Sequence, residues 1–322
     1  MNGDALVLDL AETSDIEEFR RATLAGLSRA PRAIPAKFLY DARGSALFDA
    51  ICDLPEYYLT RTETEILKRH AADIASRAGP GIALVEYGSG SSVKSRLLLD
   101  SLKDLALYSP IDISRQHLDQ TASRLRRDYP GLVVEPVCAD YMALEALSLA
   151  QGPAKRLGFF PGSTLGNLEP HEAAAFLRRA RRLLGNDGAL VLGVDLKKDA
   201  KRLHDAYNDS AGVTAAFTLN LLRRMNRELQ GTFDLERFAH EAFYNPIEGR
   251  IEIYFRSLCD QTVTVVGRRF DFTAGERVHT EYSYKFDRRG IERMARRAGF
   301  RVGAFWTDPE DVFAVLYLDA AS

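Results

Sequence analysis

The residues best suited to chemistry in this chain are glycines and acids that end short apolar runs. The run Ala83-Leu84-Val85-Glu86-Tyr87 stops at Gly88-Ser89-Gly90-Ser91-Ser92, and a helical segment follows at once. Glycines at a strand-to-helix turn let the backbone pass close to a ligand, and the first helical turn offers free N–H groups. A plain tight turn has the same look. Asp112 closes the next apolar run, where a carboxylate can accept both hydroxyls of a ribose. Asp140 closes the third, after Cys138-Ala139 and before Tyr141; a carboxylate beside an aromatic ring can take an adenine amino group while the ring covers the base. Either acid alone could cap a helix. Three such signals in succession mark the carboxyl edge of an open α/β sheet, where ligands bind, and point to a ligand containing adenosine. The third glycine of the dinucleotide fingerprint is missing, because position 93 is Val, and no G-x-x-x-x-G-K-[ST] loop occurs. NAD and nucleoside triphosphates are therefore disfavoured. S-adenosylmethionine, whose binding needs a turn after the first strand and acids after the second and third, is the preferred ligand.

A sheet must bring these residues together, and the hydrophobic pattern supplies one. Strand-like runs at Ala83–Tyr87, Leu107–Asp112, Leu132–Cys138, Arg156–Phe160 and Ala189–Leu196 alternate with helical patterns at Val93–Leu102, Ser114–Tyr129 and Pro170–Leu184. That rhythm predicts a parallel, doubly wound α/β sheet. Upstream, Asp15–Ser28 and Glu63–Arg77 read as helices. From Lys197 to about Phe286 the rhythm breaks. A long helix is expected over Arg202–Glu228, then antiparallel strands at Glu241–Tyr244, Arg250–Leu258, Thr262–Val266 and Val278–Tyr284. The end of the chain returns to the first style, with a helix over Ile291–Ala298 and strands at Phe300–Trp306 and Val312–Leu318 that fit an antiparallel edge. The expected organisation is a discontinuous nucleotide-type domain, residues 61–197 plus 287–322, and a second α+β lobe, residues 10–60 plus 198–286, with a small ligand in the cleft between them.

Composition narrows the class. The 322 residues carry 43 Lys plus Arg against 45 Asp plus Glu, a net charge of −2, which provides no broad attraction to nucleic acid or anionic membrane. The basic pieces Arg124–Arg127 and Arg178–Arg182 read as solvated helix faces. Cys52, Cys138 and Cys259 are odd in number and far apart, so neither a disulfide framework nor a cysteine zinc site is expected. The six histidines form no ligand-spaced pair, and no metal is expected. No apolar run approaches the roughly 20 residues of a membrane span, and Met1–Glu12 carries acids where a signal peptide would carry basic residues. A cytoplasmic, monomeric protein without a nucleic-acid or membrane partner is the expectation.

Four stretches carry a family resemblance: Pro55-Glu56-Tyr57-Tyr58, Gly162-Ser163-Thr164-Leu165-Gly166-Asn167, Ala206–Phe217 and Thr280-Glu281-Tyr282-Ser283-Tyr284-Lys285-Phe286. With them the chain, from about Leu27 to its last strand pair, resembles the histidine Nα-methyltransferases of ergothioneine biosynthesis. The resemblance implies a Rossmann-like class I methyltransferase sheet, mostly parallel with an antiparallel terminal strand, beside the second α+β substrate lobe. It implies S-adenosylmethionine as methyl donor, S-adenosylhomocysteine as product, and three methylations of the α-amino group of L-histidine to give hercynine. Carried over by motif, Tyr40, Gly88, Lys94, Asp112, Asp140 and Tyr141 belong to the cofactor side. Phe48, Tyr57, Gly162, Asn167, Tyr207, Thr214, Ile253, Glu281 and Ser283 belong to the substrate side, with Tyr57, Asn167 and Tyr207 as the catalytic residues. Asn167 and Tyr207 would hold the substrate carboxylate, Tyr57 would orient the amine, and Glu281 and Ser283 would pair with the imidazole nitrogens. Taken without the resemblance, Tyr57 and Tyr207 also suit core aromatics, and Asn167 a helix cap. Some relatives have Met where Ile253 stands, a change of wall shape rather than of chemistry.

The alternatives are an α-N-methyltransferase of another free amino acid such as tryptophan or tyrosine, and a non-catalytic S-adenosylmethionine-binding protein. The polar pair Glu281 and Ser283 argues against the first. The dense polar set at the substrate positions argues against the second. A nucleic-acid methyltransferase is disfavoured by the charge and by the lack of an Asn-Pro-Pro-Tyr element after the fourth strand.

Overall fold

Apolar runs that are buried on both faces build the first sheet. A computed structural model describes residues 3–88, 93–149 and 155–321; Ser89-Gly90-Ser91-Ser92 of the glycine turn lies outside the described residues. In chain order the strands are Ile82–Tyr87 (β1), Leu107–Asp112 (β2), Val137–Cys138 (β3), Lys155–Phe160 (β4), Ala189–Asp195 (β5), Phe238–Asn245 (β6), Arg250–Ser257 (β7), Gln261–Val265 (β8), Arg268–Phe272 (β9), Arg277–Tyr284 (β10), Phe300–Thr307 (β11) and Phe313–Ala320 (β12). By internal contacts the chain forms two compact units, Met1–Tyr57 with Asp199–Tyr282, and Tyr58–Lys198 with Ser283–Ser322.

The Tyr58–Lys198 and Ser283–Ser322 unit holds a seven-stranded sheet in the order β11-β12-β5-β4-β1-β2-β3. The pairs β2–β3, β1–β2, β1–β4 and β4–β5 are parallel, while β12 runs antiparallel to both β5 and β11. Every residue of β1 and of β5 is buried, as a sheet covered on both faces requires. The strand order reverses between β1 and β4, and ligands of such sheets bind outside the carboxyl ends at that reversal. Gly88 follows β1 and Gly162 follows β4, so both lie at that edge. The parallel α/β sheet with its antiparallel strand near one end agrees with the sequence expectation.

The other unit holds a three-stranded sheet, β10-β7-β6, with β6 and β7 antiparallel, and a separate β8–β9 hairpin. Its aromatic core includes Phe233, Phe238, Phe255 and Phe272, with Phe233 and Phe238 each 5.5 Å from a neighbouring ring.

Several elements differ from the sequence reading for identifiable reasons. Leu132–Cys138 is not one strand: Val134 bridges Tyr108, and pairing resumes only at Val137. Pro136 has no N–H to donate at the intervening position. The expected helix over Arg202–Glu228 is two, Ala200–Asp205 and Val213–Glu228. Gly212 takes φ +72° between them, and Asp209 accepts the Val213 and Thr214 amides at 2.8 Å each, so the second helix has its own start. The helix before β1 begins at Tyr58 rather than Glu63, because Tyr58, Leu59 and Thr62 extend its buried face. Strand β9 was not expected at all. Nor are the basic helix faces only solvated. Arg181 donates to the carbonyls of Gly299, Gly185 and Ala321 at 2.9–3.0 Å, and Arg126 donates to that of Val134 at 2.6 Å.

Buried carboxylates inside the seven-stranded unit include Asp195 and Glu86. Asp195, at the end of β5, is fully buried. The Tyr58 hydroxyl donates to its oxygens at 2.9 and 2.8 Å, Lys285 pairs with it at 2.9 Å, and Lys198 pairs with it as well. Its own amide donates to the Ser163 hydroxyl oxygen at 2.9 Å. Glu86 of β1 accepts from the Ser95 hydroxyl at 2.8 and 2.6 Å and from Tyr108. Burial pushes the Glu86 carboxyl up to about 7, against the opposing pull of those hydrogen bonds and of Lys94.

Two outcomes are expected. Tyr58→Phe removes a donor to a buried carboxylate and should cost about 1.5–3 kcal/mol; an unchanged urea midpoint would contradict the account of Asp195. For Glu86, the folded pKa lies above the ordinary 4.5, so folding favours the protonated form. Its contribution is complete below the unfolded value and is lost as the pH rises through about 7. Relative to Glu86→Gln, the unaltered protein should therefore lose on the order of 3 kcal/mol of stability between about pH 5 and pH 8. Parallel stability–pH curves for the two proteins would refute this.

Candidate functional site

At the carboxyl edge of the large sheet, the signals read from the sequence fall on neighbouring strands. Gly88 takes φ +77°, a conformation that L side chains rarely adopt, and its amide donates to the Ile111 carbonyl at 2.9 Å. A Cβ there would point at the Tyr141 ring, 3.8 Å away. Asp112 Oδ1 accepts the Ser114 amide at 2.9 Å, which holds the carboxylate at the end of β2. Asp112 pairs in register with Cys138 of β3, so Asp140 follows just beyond the neighbouring strand. Asp140 Oδ1 accepts the Met142 amide at 2.8 Å. The Tyr141 ring packs edge-on against Phe160 and Phe176, with centroids 5.6 and 5.8 Å away. Burial, and then the charges of Asp140 and Asp112, push its hydroxyl well above the usual range, so it stays neutral.

This set fits the nucleoside half of S-adenosylmethionine. A ribose diol and an adenine amino group are hydrogen-bond donors, and two half-buried carboxylates end adjacent strands beside a glycine with no side chain in the way.

Lys94 and Gly162, which the resemblance assigns to opposite sides of the site, meet through a residue that the sequence reading missed. Glu63 is fully buried in the helix Tyr58–Ala78. It accepts the Gly162 amide at 3.1 and 2.8 Å and pairs with the Lys94 ammonium at 2.5 Å. Gly162 itself takes φ +80°. Glu63 has its room because position 193 is Gly, where a Cβ would come within 1.9 Å of its Oε1. The available signal was an acid on an otherwise apolar helix stripe with Leu59, Ile66 and Leu67.

Asn167 ends the 3-10 turn Thr164–Asn167, which opens on Ser163 in a left-handed conformation, φ 57°. The turn lies against Tyr284, since a Cβ on Gly166 would stand 2.6 Å from the Tyr284 carbonyl oxygen. Ser283 is buried next to it, and its Oγ accepts from the Lys285 ammonium at 2.8 Å. Glu281 and Ser283 are two apart on β10 and share a face.

The remaining substrate-side positions gather in the other unit. Tyr57 and Tyr207 are buried and pack edge-on, with centroids 6.1 Å apart. Phe48 lies 6.4 Å from Tyr57 and 5.5 Å from Tyr40. Tyr40, assigned by resemblance to the cofactor side, thus sits within this aromatic group. Phe217 completes it, 5.4 Å from Tyr40 and 6.0 Å from Phe48, and was not singled out as a site residue in the sequence. Burial first, then neighbouring groups including Tyr207 and Glu281, push the Tyr57 hydroxyl well above its ordinary range, which keeps it protonated. His240 holds the Tyr207 segment through a 2.9 Å contact with the Tyr207 carbonyl. Glu56 accepts from the Ser210 hydroxyl at 2.8 Å. Thr214 is buried in the first turn of its helix, and Ile253 is buried in β7, where its carbonyl accepts from the Thr280 hydroxyl at 3.1 Å. Among the described residues no group of three or more His, Cys, Asp or Glu could hold a metal, and no helix is long and apolar enough to cross a membrane.

Residues 19–320 match the model of the histidine-specific, S-adenosylmethionine-dependent methyltransferases. The chain is similar to the histidine N-alpha-methyltransferase of Mycolicibacterium smegmatis, with 43% identity over 95% of this chain and 96% of that protein. It is 40% identical to the Mycobacterium tuberculosis protein of the same name, again over 95% and 96% of the two chains. Ergothioneine biosynthesis protein 1 of Neurospora crassa is 32% identical over 86% of this chain, which spans 32% of that longer protein. The chain belongs to the family of histidine-specific, S-adenosylmethionine-dependent methyltransferases.

Proposed function

We propose that this protein methylates the α-amino group of L-histidine three times, giving hercynine for ergothioneine biosynthesis. The observation that carries the substrate is the pairing of Glu281 and Ser283 on one face of β10 in a member of this family. A carboxylate that accepts and a hydroxyl that can donate match the N–H and the bare nitrogen of an imidazole ring. An apolar aromatic ring would offer neither group a matching hydrogen bond in return for the water it displaces, which is costly.

S-adenosylmethionine supplies a methyl group already activated by the sulfonium, so the protein's task is mainly alignment. Gly88, Asp112, Asp140 and Tyr141, with Tyr40 and Lys94, form the cofactor side. Gly162, Phe48, Thr214 and Ile253 line the substrate side. Asn167 and Tyr207 hold the substrate carboxylate. Tyr57, whose hydroxyl stays protonated, keeps an oxygen lone pair with which to orient the amine. As methyl groups accumulate the nitrogen loses its N–H bonds and keeps a positive charge. The rings of Phe48, Tyr57, Tyr207 and Phe217 then present faces that stabilise a cation. The amine must lose a proton before each transfer. No side chain is assigned as an obligatory base, and solvent can take the proton.

Three free cysteines support a reduced, cytoplasmic setting. The same reading takes the protein as a monomer, eluting near 35.9 kDa on gel filtration.

Mass spectrometry of reactions with S-adenosylmethionine and each of the twenty amino acids should show three methyl increments on histidine alone. Methylation of tryptophan or tyrosine instead would keep the chemistry and replace the substrate. Glu281→Ala should lower kcat/KM for histidine by roughly 10- to 100-fold, while turnover of an apolar aromatic amino acid rises. Unchanged histidine kinetics in that variant would remove Glu281 from the site.

A further inference from the structure

Lys285 is a fully buried cation whose position the methyl-transfer scheme leaves unexplained. Its ammonium pairs with Asp195 at 2.9 Å and donates to Ser283 Oγ at 2.8 Å. Lysine has no acceptor, so the Ser283 oxygen faces the ammonium and the positive end of the hydroxyl dipole is turned away from it. The same ammonium polarises the O–H bond and strengthens whatever hydrogen bond it donates. Asp195 is shared by two ammoniums, those of Lys198 and Lys285, so the Lys285 ammonium is anchored beside Ser283 from the strand-β5 side.

We propose that Lys285 is a positioning residue that sets Ser283 as a hydrogen-bond donor, so that the site admits histidine with a neutral imidazole, its bare nitrogen on Ser283 and its N–H on Glu281. The inference rests on the substrate reading above. A protonated ring would bring an N–H to the donor end of Ser283, donor against donor. Among the described residues, the titratable and charged groups around this pair include Asp195 from β5, Tyr58 from the helix Tyr58–Ala78 and Lys198 beyond β5, with Glu281 two residues before Ser283 on the same strand and Glu169 bonded to the adjacent Tyr284. Glu281 by itself would favour a cationic ring. Lys285 is the group that opposes it through Ser283.

The experiment uses the full chain with S-adenosylhomocysteine and histidine labelled with 15N in the ring, at about pH 5.5, where free histidine is mostly imidazolium. In the unaltered protein the bound ring should show one protonated and one bare nitrogen. Two protonated nitrogens would overturn the proposal while leaving histidine as substrate. In Lys285→Met, which leaves Asp195 paired with Lys198 and Tyr58, the protonated ring should be admitted at the same pH. The KM for histidine should rise about tenfold, equivalent to about 1.4 kcal/mol, with kcat changed less than twofold. Ser283→Ala should raise KM similarly, and the double variant no further. Multiplying effects, or an unchanged KM in Lys285→Met, would also overturn it. Binding of S-adenosylhomocysteine is the folding control, and if Lys285→Met does not fold, the nitrogen signals of the unaltered protein decide alone. Failure of histidine to bind at all, or unchanged kinetics in Ser283→Ala, would instead defeat the substrate reading on which the inference stands.

Discussion

A carboxylate buried without water has to be matched by donors, and Asp195 imposes that demand on its whole surroundings. Removing one partner of a buried pair leaves an uncompensated charge, which costs several kcal/mol, whereas a complete set about breaks even. Asp195 is therefore a constraint more than a source of stability. It requires Tyr58 at the start of one helix, Lys198 at the exit of β5 and Lys285 just past β10 to converge on one point. Its backbone amide also ties the Ser163 turn that leads to Asn167. Segments far apart in sequence are located by a single charge.

Glu63 acts in the same way a short distance along the sheet edge. It gathers the Gly162 amide and the Lys94 ammonium. Two close approaches here depend on missing side chains. Gly193 leaves room for Glu63, and Gly166 lets the Asn167 turn lie on the backbone of Tyr284. These glycines serve by the Cβ they lack, not by an unusual φ. The edge that carries Gly88 has another origin. There the positions follow from strand order and register, and Gly88, Asp112 and Asp140 become neighbours because β1, β2 and β3 are adjacent.

Much of this was legible in the chain. Continuous apolar runs alternating with helical stripes implied the parallel sheet, and they put Asp112 and Asp140 at the ends of its second and third strands. Pro136 and the Asp209–Gly212 segment were equally visible, yet their effects on a strand and on a helix were underestimated. Both act through single backbone groups, a missing N–H and a side-chain cap, that hydrophobic periodicity does not register. The residues assigned to the substrate side stood out only through long motifs shared with a family, since a tyrosine or asparagine at those places has a bland role as well.

The sequence by itself determined the alternation of strands and helices in the large sheet, the acids that close its second and third strands, and the Glu281–Ser283 alternation on one strand, because each depends on local spacing along a regular backbone. Only the tertiary structure decided that Glu63 joins Lys94 to Gly162, that Phe217 completes the aromatic group, and that Asp195 and Lys285 stand behind Ser283. Those pairings join residues tens to more than a hundred positions apart. Their partners are selected by the need to compensate buried charge and fill space, which no periodicity in the chain encodes.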